Sequence, residues 1–250
     1  MNSIAIVGSS IQPREGRFTY SKSRSFFNTE ERFRQTIFTV NSIRNCLPHA
    51  KIIVLDSSDD YKDNFINFGA FPNVDYIPIK ELSYDVFEAV NTHLNKSYCE
   101  SLLFNSFYRN MKKELLNYDY IIKVSGRYFL SDFNDSLFTK KNVDKIFFKK
   151  PLRFIWQDHW NYSFVDRRNI QNDNMLYQYC SVLYAFGSQN LEKMIDINEA
   201  MVQFADRKEM IGYDIETLAY YFTRPYQDKV IETDWKVAGW DGVSGQFMYY

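Results

Sequence analysis

Cysteine and long apolar runs are both scarce in this sequence. Its three cysteines, Cys46, Cys99 and Cys180, are widely spaced and odd in number, which predicts reduced thiols in a cytoplasmic setting rather than a disulfide framework. No stretch approaches the roughly 18 consecutive apolar residues of a membrane span, and the chain begins without the basic segment of a signal peptide. The sequence therefore predicts a chain without a membrane span, for which contact with a membrane would be peripheral.

An excess of charge and the spacing of metal ligands are also missing. The chain has 30 basic and 31 acidic side chains and a formal net charge of −1, so no overall positive field attracts nucleic acid. Its three histidines are scattered and do not have the spacing of zinc ligands. A Walker loop and a G-x-S-x-G motif are both absent, which argues against a P-loop NTPase and a serine hydrolase.

The composition is that of a globular protein, and the sequence has regular strand and helix patterns. Hydrophobic residues make up 45% of its 250 residues, enough for one α/β domain with a buried core. In the first half, short β-rich runs alternate with helical spacing, which predicts a mostly parallel sheet flanked by helices. Strands are predicted at 4–7, 51–56, 74–79 and 118–124, and helices at 30–45, with Thr29 as its N-cap, and within 84–117.

After residue 130 the pattern becomes mixed. Strands are predicted at 145–149 and 181–186, and helices at 192–204 and 213–222. The sequence has no internal repeat and no Pro/Gly-rich linker, so a single domain over 1–250 is the simplest prediction.

Polar segments follow three of the predicted strands. In open parallel sheets, ligands bind beyond the carboxyl ends of the strands, and the segments 8–10, 56–59 and 125–128 lie there. Gly8 permits close approach of the backbone, and the amides around Gly8 and Ser9 suit a nucleotide. An ordinary turn is the alternative explanation of Gly8.

Residues 32–60, RFRQTIFTVNSIRNCLPHAKIIVLDSSDD, are similar to the opening helix and second strand of GT-A glycosyltransferases. In that family the strand ends in an acid and a serine-containing turn that face the nucleoside, and Asp56 matches the acid. An ionised Asp accepts hydrogen bonds from a ribose hydroxyl or a base N–H. Capping of the following turn is the other role open to Asp56.

A second resemblance lies in YDYIIKVSGRYFL, residues 118–130. The family's strand at this place ends in an Asp-x-Asp pair that holds the metal bridging the donor diphosphate, and here Ser125 and Arg127 occupy the two positions. Without carboxylates a hard divalent cation has few ligands, so the departure implies that Arg127 binds the phosphates instead, with added charge from Lys123. The alternative is an ion pair between Arg127 and an acid in the core wall.

The third resemblance is IGYDIETLAYYF, residues 211–222. Many inverting enzymes of the GT-A fold carry Glu-Asp at the start of a late helix, and the Asp is the catalytic base. Asp214 matches that Asp, with Glu216 as a supporting neighbour. As a residue at a helix start, Asp214 has the alternative role of a simple N-cap.

Weaker patterns complete the predicted site. Lys96 is predicted to contact the donor, and Asp158, His159 and Trp160 form an acid–imidazole–aromatic cluster predicted to contact the acceptor sugar. A solvated loop is the alternative for that cluster. Residues 237–245, VAGWDGVSG, are predicted to form a loop that closes over the site, and an ordered tail is the alternative.

Together the resemblances imply a single GT-A-like, Rossmann-like α/β domain, with a nucleotide-binding half at 1–130 and an acceptor-binding half at 131–250. The implied activity is inverting transfer of a sugar from a nucleotide-sugar to a saccharide acceptor, without a required metal or other cofactor. The implied setting is cytoplasmic synthesis of a surface polysaccharide such as capsule or lipopolysaccharide. Two alternatives stay open: a sugar nucleotidyltransferase, and a non-catalytic relative that kept the fold.

Overall fold

A computed structural model describes residues 1–19, 21–59, 67–155, 175–207, 214–242 and 244–250. Strands and helices are numbered in chain order. The strands are β1 Ser3–Ser9, β2 Lys51–Asp56, β3 Val74–Pro78, β4 Tyr120–Ser125, β5 Tyr128–Asp132, β6 Ile146–Lys149, β7 Leu152–Ile155, β8 Met175–Gln178, β9 Leu183–Gly187, β10 Val230–Thr233, β11 Lys236–Trp240 and β12 Phe247–Tyr249. The helices are α1 Thr29–Cys46, α2 Ile79–Leu82, α3 Tyr84–Thr92, α4 Lys96–Asn110, α5 Lys112–Leu115, α6 Leu191–Ala205 and α7 Ile215–Thr223.

The central sheet has seven strands in the order β10-β6-β9-β4-β1-β2-β3. Strands β4, β1, β2 and β3 are parallel, as are β6 and β10, while β9 runs antiparallel between the two groups. The mostly parallel α/β sheet predicted from the sequence is confirmed. In the register of this sheet Gly8 pairs with Ser125 and Ser9 pairs with Asp56, so β1, β2 and β4 end at one common edge.

Both faces of the sheet are buried, which explains the continuous apolar runs of its strands. On β1, Ile4 and Ile6 pack into one core cluster together with residues of α4 and α6. Ala5 and Val7 alternate with them and pack into the other cluster, together with residues of α1 and β11. None of the helices among the described residues is both long enough and apolar enough to cross a membrane.

The first helix begins one residue earlier than its pattern predicts. Its N-cap is Asn28 and not Thr29, because the Asn28 side chain accepts from the backbone N–H of Glu31 while the Glu31 carboxylate accepts from the N–H of Asn28. Such a reciprocal capping box satisfies two backbone donors that a helix start otherwise leaves unpaired.

The prediction of a loop over 237–245 is wrong for its first half. β11 is the middle strand of a three-stranded antiparallel sheet in the order β12-β11-β5. Gly239 lies directly against the backbone of Arg127, where a β-carbon would collide with the carbonyl oxygen. A glycine in the strand permits this close approach, and β11 binds the backbone of Arg127 and of the strand that follows it.

Candidate active site

Two adjoining cavities open at the edge where β1, β2 and β4 end. The first, which we call the basic pocket, has a volume of about 130 Å³, and the second, the acidic cleft, has a volume of about 400 Å³. The side chains that line both cavities, and so form the wall between them, are Lys96, Glu100, Ser125 and Arg127. A group bound in one cavity therefore lies next to a group bound in the other.

The end of β1 forms part of the basic pocket, as the sequence predicts for Gly8 and Ser9. A β-carbon at position 8 would lie 2.7 Å from the ring of Phe104, so a larger residue there would displace this buried ring. The Ser9 hydroxyl shares a 3.0 Å hydrogen bond with Thr36 of α1. This contact joins the strand end to the helix that covers it.

Positive charge dominates the basic pocket. Among its described lining residues, four side chains are cationic and one, Glu100, is a carboxylate. The four cations are Arg24, Arg32, Lys96 and Arg127. Lys96, the first residue of α4, lies at both cavities, which is compatible with its predicted donor contact. The pocket is therefore suited to an anion.

Arg127 lies between the two cavities, and its predicted phosphate contact stays a prediction. Its guanidinium lines both cavities, and its Nε donates a 3.3 Å hydrogen bond to the carbonyl of Trp240. Gly242 packs against the guanidinium, because a β-carbon there would lie 2.6 Å from Cζ. Within the described part of the chain Arg127 forms no ion pair with a carboxylate, so the alternative of a core-wall ion pair is not what the structure shows.

Lys123 does not line the basic pocket, because its ammonium is bound within the protein, and its predicted donor contact stays a prediction. The side chain is 1% exposed, and its ammonium donates to a Glu100 oxygen at 2.5 Å, to the Ser125 hydroxyl at 2.9 Å and to the Ser181 carbonyl at 2.6 Å. A lysine has three donor hydrogens, and all three are used within the protein.

Glu100 is the acidic partner of this buried lysine. Burial acts to raise the pKa of Glu100, but the charges of Lys123, Lys96 and Arg127 outweigh it, so the pKa lies below its ordinary value. Glu100 is therefore an ionised carboxylate whose charge Lys123 already balances.

Replacing Lys123 with Met is expected to destabilise the fold strongly. Removing one partner of a buried pair typically costs about 3–5 kcal/mol, and the lower end applies because the Glu100 side chain keeps 19% exposure. Urea unfolding of Lys123→Met measures the loss, and adding Glu100→Gln is expected to recover part of it. A loss below about 1 kcal/mol would contradict the importance of the pair.

Asp56 also forms hydrogen bonds within the protein, and its predicted nucleoside contact stays a prediction. It is 1% exposed and does not line the described surface of either cavity. One oxygen accepts a 3.0 Å hydrogen bond from the backbone N–H of Ile11, and the other accepts from the hydroxyl of Tyr76. The carboxylate thus anchors the loop after β1, which is close to the turn-capping alternative.

The start of α7 contributes two carboxylates to the acidic cleft, Asp214 and Glu216. Asp214 is the N-cap: one oxygen accepts from the N–H of Thr217 at 2.6 Å and the other from the side-chain amide of Gln178 at 3.0 Å. The capping alternative for Asp214 is therefore observed. Its adjoining motif residues 211–213 lie outside the described residues.

Glu216 has the electrostatics expected of a general base. Burial raises its pKa above the ordinary value of 4.5, and the negative charge of Asp214 raises the pKa further. The Ser181 hydroxyl donates a hydrogen bond to its Oε1. A carboxylate with a raised pKa at the wall of a cleft is a stronger base than an ordinary glutamate.

Comparison with known proteins places the fold. No protein-family model matches the chain, and no curated protein sequence matches it. The galactosyltransferase LgtC, solved with donor and acceptor sugar analogues, matches with a TM-score of 0.50 at 9% identity, over 93% of this chain and 73% of LgtC. Mouse xyloside xylosyltransferase 1 matches with a TM-score of 0.49 at 8% identity, over 93% of this chain and 84% of that one. The fold assignment rests on LgtC.

The chain has a GT-A-like glycosyltransferase fold. In this fold the sequence resemblance puts the Asp-x-Asp pair at Ser125 and Arg127, and both residues lie at the wall between the two cavities. Among the described residues, no group of three or more His, Cys, Asp and Glu side chains is arranged to hold a metal ion.

Three predicted site residues lie outside the described part of the chain, and one residue that lines the basic pocket was not predicted. Asp158, His159 and Trp160 fall outside the described residues, so their predicted acceptor contact stays a prediction. Arg32 lines the basic pocket without having been predicted there. A signal was available, since Arg32 has helical spacing with Thr36, Val40 and Ile43, the buried face of α1.

Proposed function

We propose that this protein is a glycosyltransferase that moves a sugar from a nucleotide-sugar donor to a saccharide acceptor. The observation that carries the proposal is the shared wall of Lys96, Glu100, Ser125 and Arg127 between an anion-binding pocket and a carboxylate-lined cleft. A transferase needs two substrates side by side, with the leaving phosphate on one side and an acceptor hydroxyl beside a base on the other. The predicted nucleotide-binding half at 1–130 agrees with this proposal, since all described lining residues of the basic pocket except Gly242 lie within 8–127.

In the proposed donor site the phosphates lie in the basic pocket. Gly8 and Ser9 bring the backbone close to them, and Lys96 and Arg127 neutralise the charge that develops as the sugar leaves. A guanidinium remains charged at all working pH values and forks onto phosphate oxygens, so it replaces the role of a metal. The proposed reaction therefore proceeds without a divalent cation.

The proposed transfer step is an inverting displacement in the acidic cleft. Glu216 takes the proton of an acceptor hydroxyl, whose oxygen attacks the anomeric carbon as the bond to the donor phosphate breaks on the opposite side. The bonding electrons leave with the phosphate, beside Arg127. We assign the base to Glu216 rather than Asp214, since both Asp214 oxygens already accept hydrogen bonds that hold the helix start.

The proposed biological setting is cytoplasmic assembly of a surface polysaccharide, such as capsule or lipopolysaccharide. The sequence resemblance to bacterial GT-A enzymes supports it, and the three cysteines are unpaired, which fits a reducing compartment. Contact with a membrane, where such acceptors are anchored, would be peripheral in this proposal.

The purified protein is expected to release nucleoside phosphate from one or a few nucleotide-sugars in excess EDTA. A panel of donors is incubated with and without EDTA and with added Mn²⁺, and the released nucleotide is measured, first alone and then with saccharide acceptors. Loss of activity in EDTA with recovery in Mn²⁺ would overturn metal independence. No breakdown under any condition would overturn the enzyme assignment and favour the non-catalytic alternative, while pyrophosphate release from a nucleoside triphosphate and a sugar phosphate would favour the nucleotidyltransferase.

A further inference from the structure

Arg32 is a buried cation that forms no ion pair with a carboxylate of the described residues. It is 5% exposed, on the face of α1 that packs against the sheet, yet it is one of the residues that line the basic pocket. Its Nε donates to the carbonyl of Ser10, and its Nη1 donates a 2.9 Å hydrogen bond to the hydroxyl of Ser25. Both acceptors are neutral, and no carboxylate of the described residues forms an ion pair with Arg32. Burial of a charge in this way costs free energy that a partner normally offsets.

The neighbouring charges do not offset this cost. Burial lowers the pKa of Arg32 to about 9, and the positive charge of Arg127 adds to the shift, yet the group stays charged at neutral pH. Asp56 acts in the opposite direction, but its effect is smaller than that of burial or of Arg127, and it forms no ion pair with Arg32. Glu100, the carboxylate at the pocket, is paired with Lys123. The described lining of the pocket thus has an excess of positive charge, which favours the binding of an anion.

We propose that Arg32 is a phosphate-binding residue, and that Arg32 and Arg127 together form a clamp for two adjacent phosphate groups. Two guanidiniums that face one pocket each present a planar fork of donors that matches the oxygens of one phosphate. A single phosphate leaves one fork unmatched, whereas a diphosphate occupies both. If the proposed function holds, the clamp makes the donor a nucleoside diphosphate sugar; only this naming of the donor rests on the proposed function.

The test uses inorganic phosphates, so it needs no knowledge of the sugar. Isothermal titration at fixed ionic strength, which controls screening, compares pyrophosphate with orthophosphate. The unaltered protein is expected to bind pyrophosphate at least about tenfold more tightly than orthophosphate, and Arg32→Gln to lose at least about tenfold of its pyrophosphate affinity. The matched control is Arg34→Gln, two residues along the same helix, whose side chain is 71% exposed and pairs with Glu30; its affinity is expected not to change.

Each outcome decides the proposal. A folded Arg32→Gln protein with unchanged pyrophosphate affinity overturns it, and so does equal affinity of the unaltered protein for the two anions. If Arg32→Gln does not fold, Arg32→Lys keeps the charge but loses the fork, so its preference for pyrophosphate over orthophosphate is expected to fall, and an unchanged preference overturns the clamp. Pyrophosphate binding through Arg32 without any use of nucleotide-sugars would overturn the proposed function alone. If the unaltered protein transfers sugar but Arg32→Gln binds pyrophosphate as tightly as the unaltered protein, this inference alone is overturned.

Discussion

Glu216→Gln is expected to lower turnover by about 10²–10⁴-fold, with almost no change in donor affinity. General-base catalysis contributes about this factor, and the glutamine amide keeps the size of the side chain but cannot take a proton. Glu216 lines the acidic cleft and is absent from the lining of the basic pocket, so the donor loses no contact. Turnover and donor affinity are measured on the same preparation, and turnover close to that of the unaltered protein would contradict the assignment.

Asp214→Asn is the matched control for Glu216→Gln. Asparagine caps helices about as well as aspartate, so the variant is expected to keep its melting temperature and most of its turnover. Its pH profile is expected to change, however. Rate falls on the acid side as the base is protonated, and the Asp214 charge raises the pKa of Glu216; without that charge the pKa falls, and the acid limb moves to lower pH.

The pH profile separates the two carboxylates. If Asp214→Asn instead loses about 100-fold or more in turnover while remaining folded, Asp214 is the base, as the sequence motif predicts. If the acid limb of the unaltered protein lies at or below the ordinary glutamate value of 4.5, the raised pKa on which the Glu216 assignment depends is contradicted.

Arg127→Ala is expected to weaken binding of the nucleoside diphosphate by about 10–100-fold, which corresponds to ~1.5–3 kcal/mol for hydrogen bonds to a charged group. Arg127→Lys is expected to lose less, since lysine keeps the charge but not the fork. Calorimetry measures both affinities, and melting temperatures check the fold. Unchanged affinity in the folded alanine variant would exclude Arg127 from the donor site, and Arg34→Ala serves as the exposed-arginine control.

The sequence determined the order and type of most elements by itself. The run at 51–56 is β2 with the predicted bounds, and the strands predicted at 4–7 and 118–124 lie within or overlap β1 and β4. Burial on both faces of a parallel sheet leaves a continuous apolar run, which is visible without any knowledge of partners. The same pattern predicts that Gly8, Ser9 and Ser125 lie close together, because the carboxyl ends of parallel strands lie at one edge of the sheet.

Only the tertiary structure decided which polar side chains face a cavity. Lys123 lies within β4 and Asp56 is the last residue of β2, as the sequence predicts. Each is nevertheless bound by partners from distant parts of the chain: Glu100 and Ser181 for Lys123, and Ile11 and Tyr76 for Asp56. Arg32 shows the converse, since a charge on a buried helix face lines a pocket together with Arg127, which lies 95 positions later in the chain. Local periodicity reports that a side chain is buried, but its partners come from long-range packing, and these partners determine whether its charge is left for a ligand.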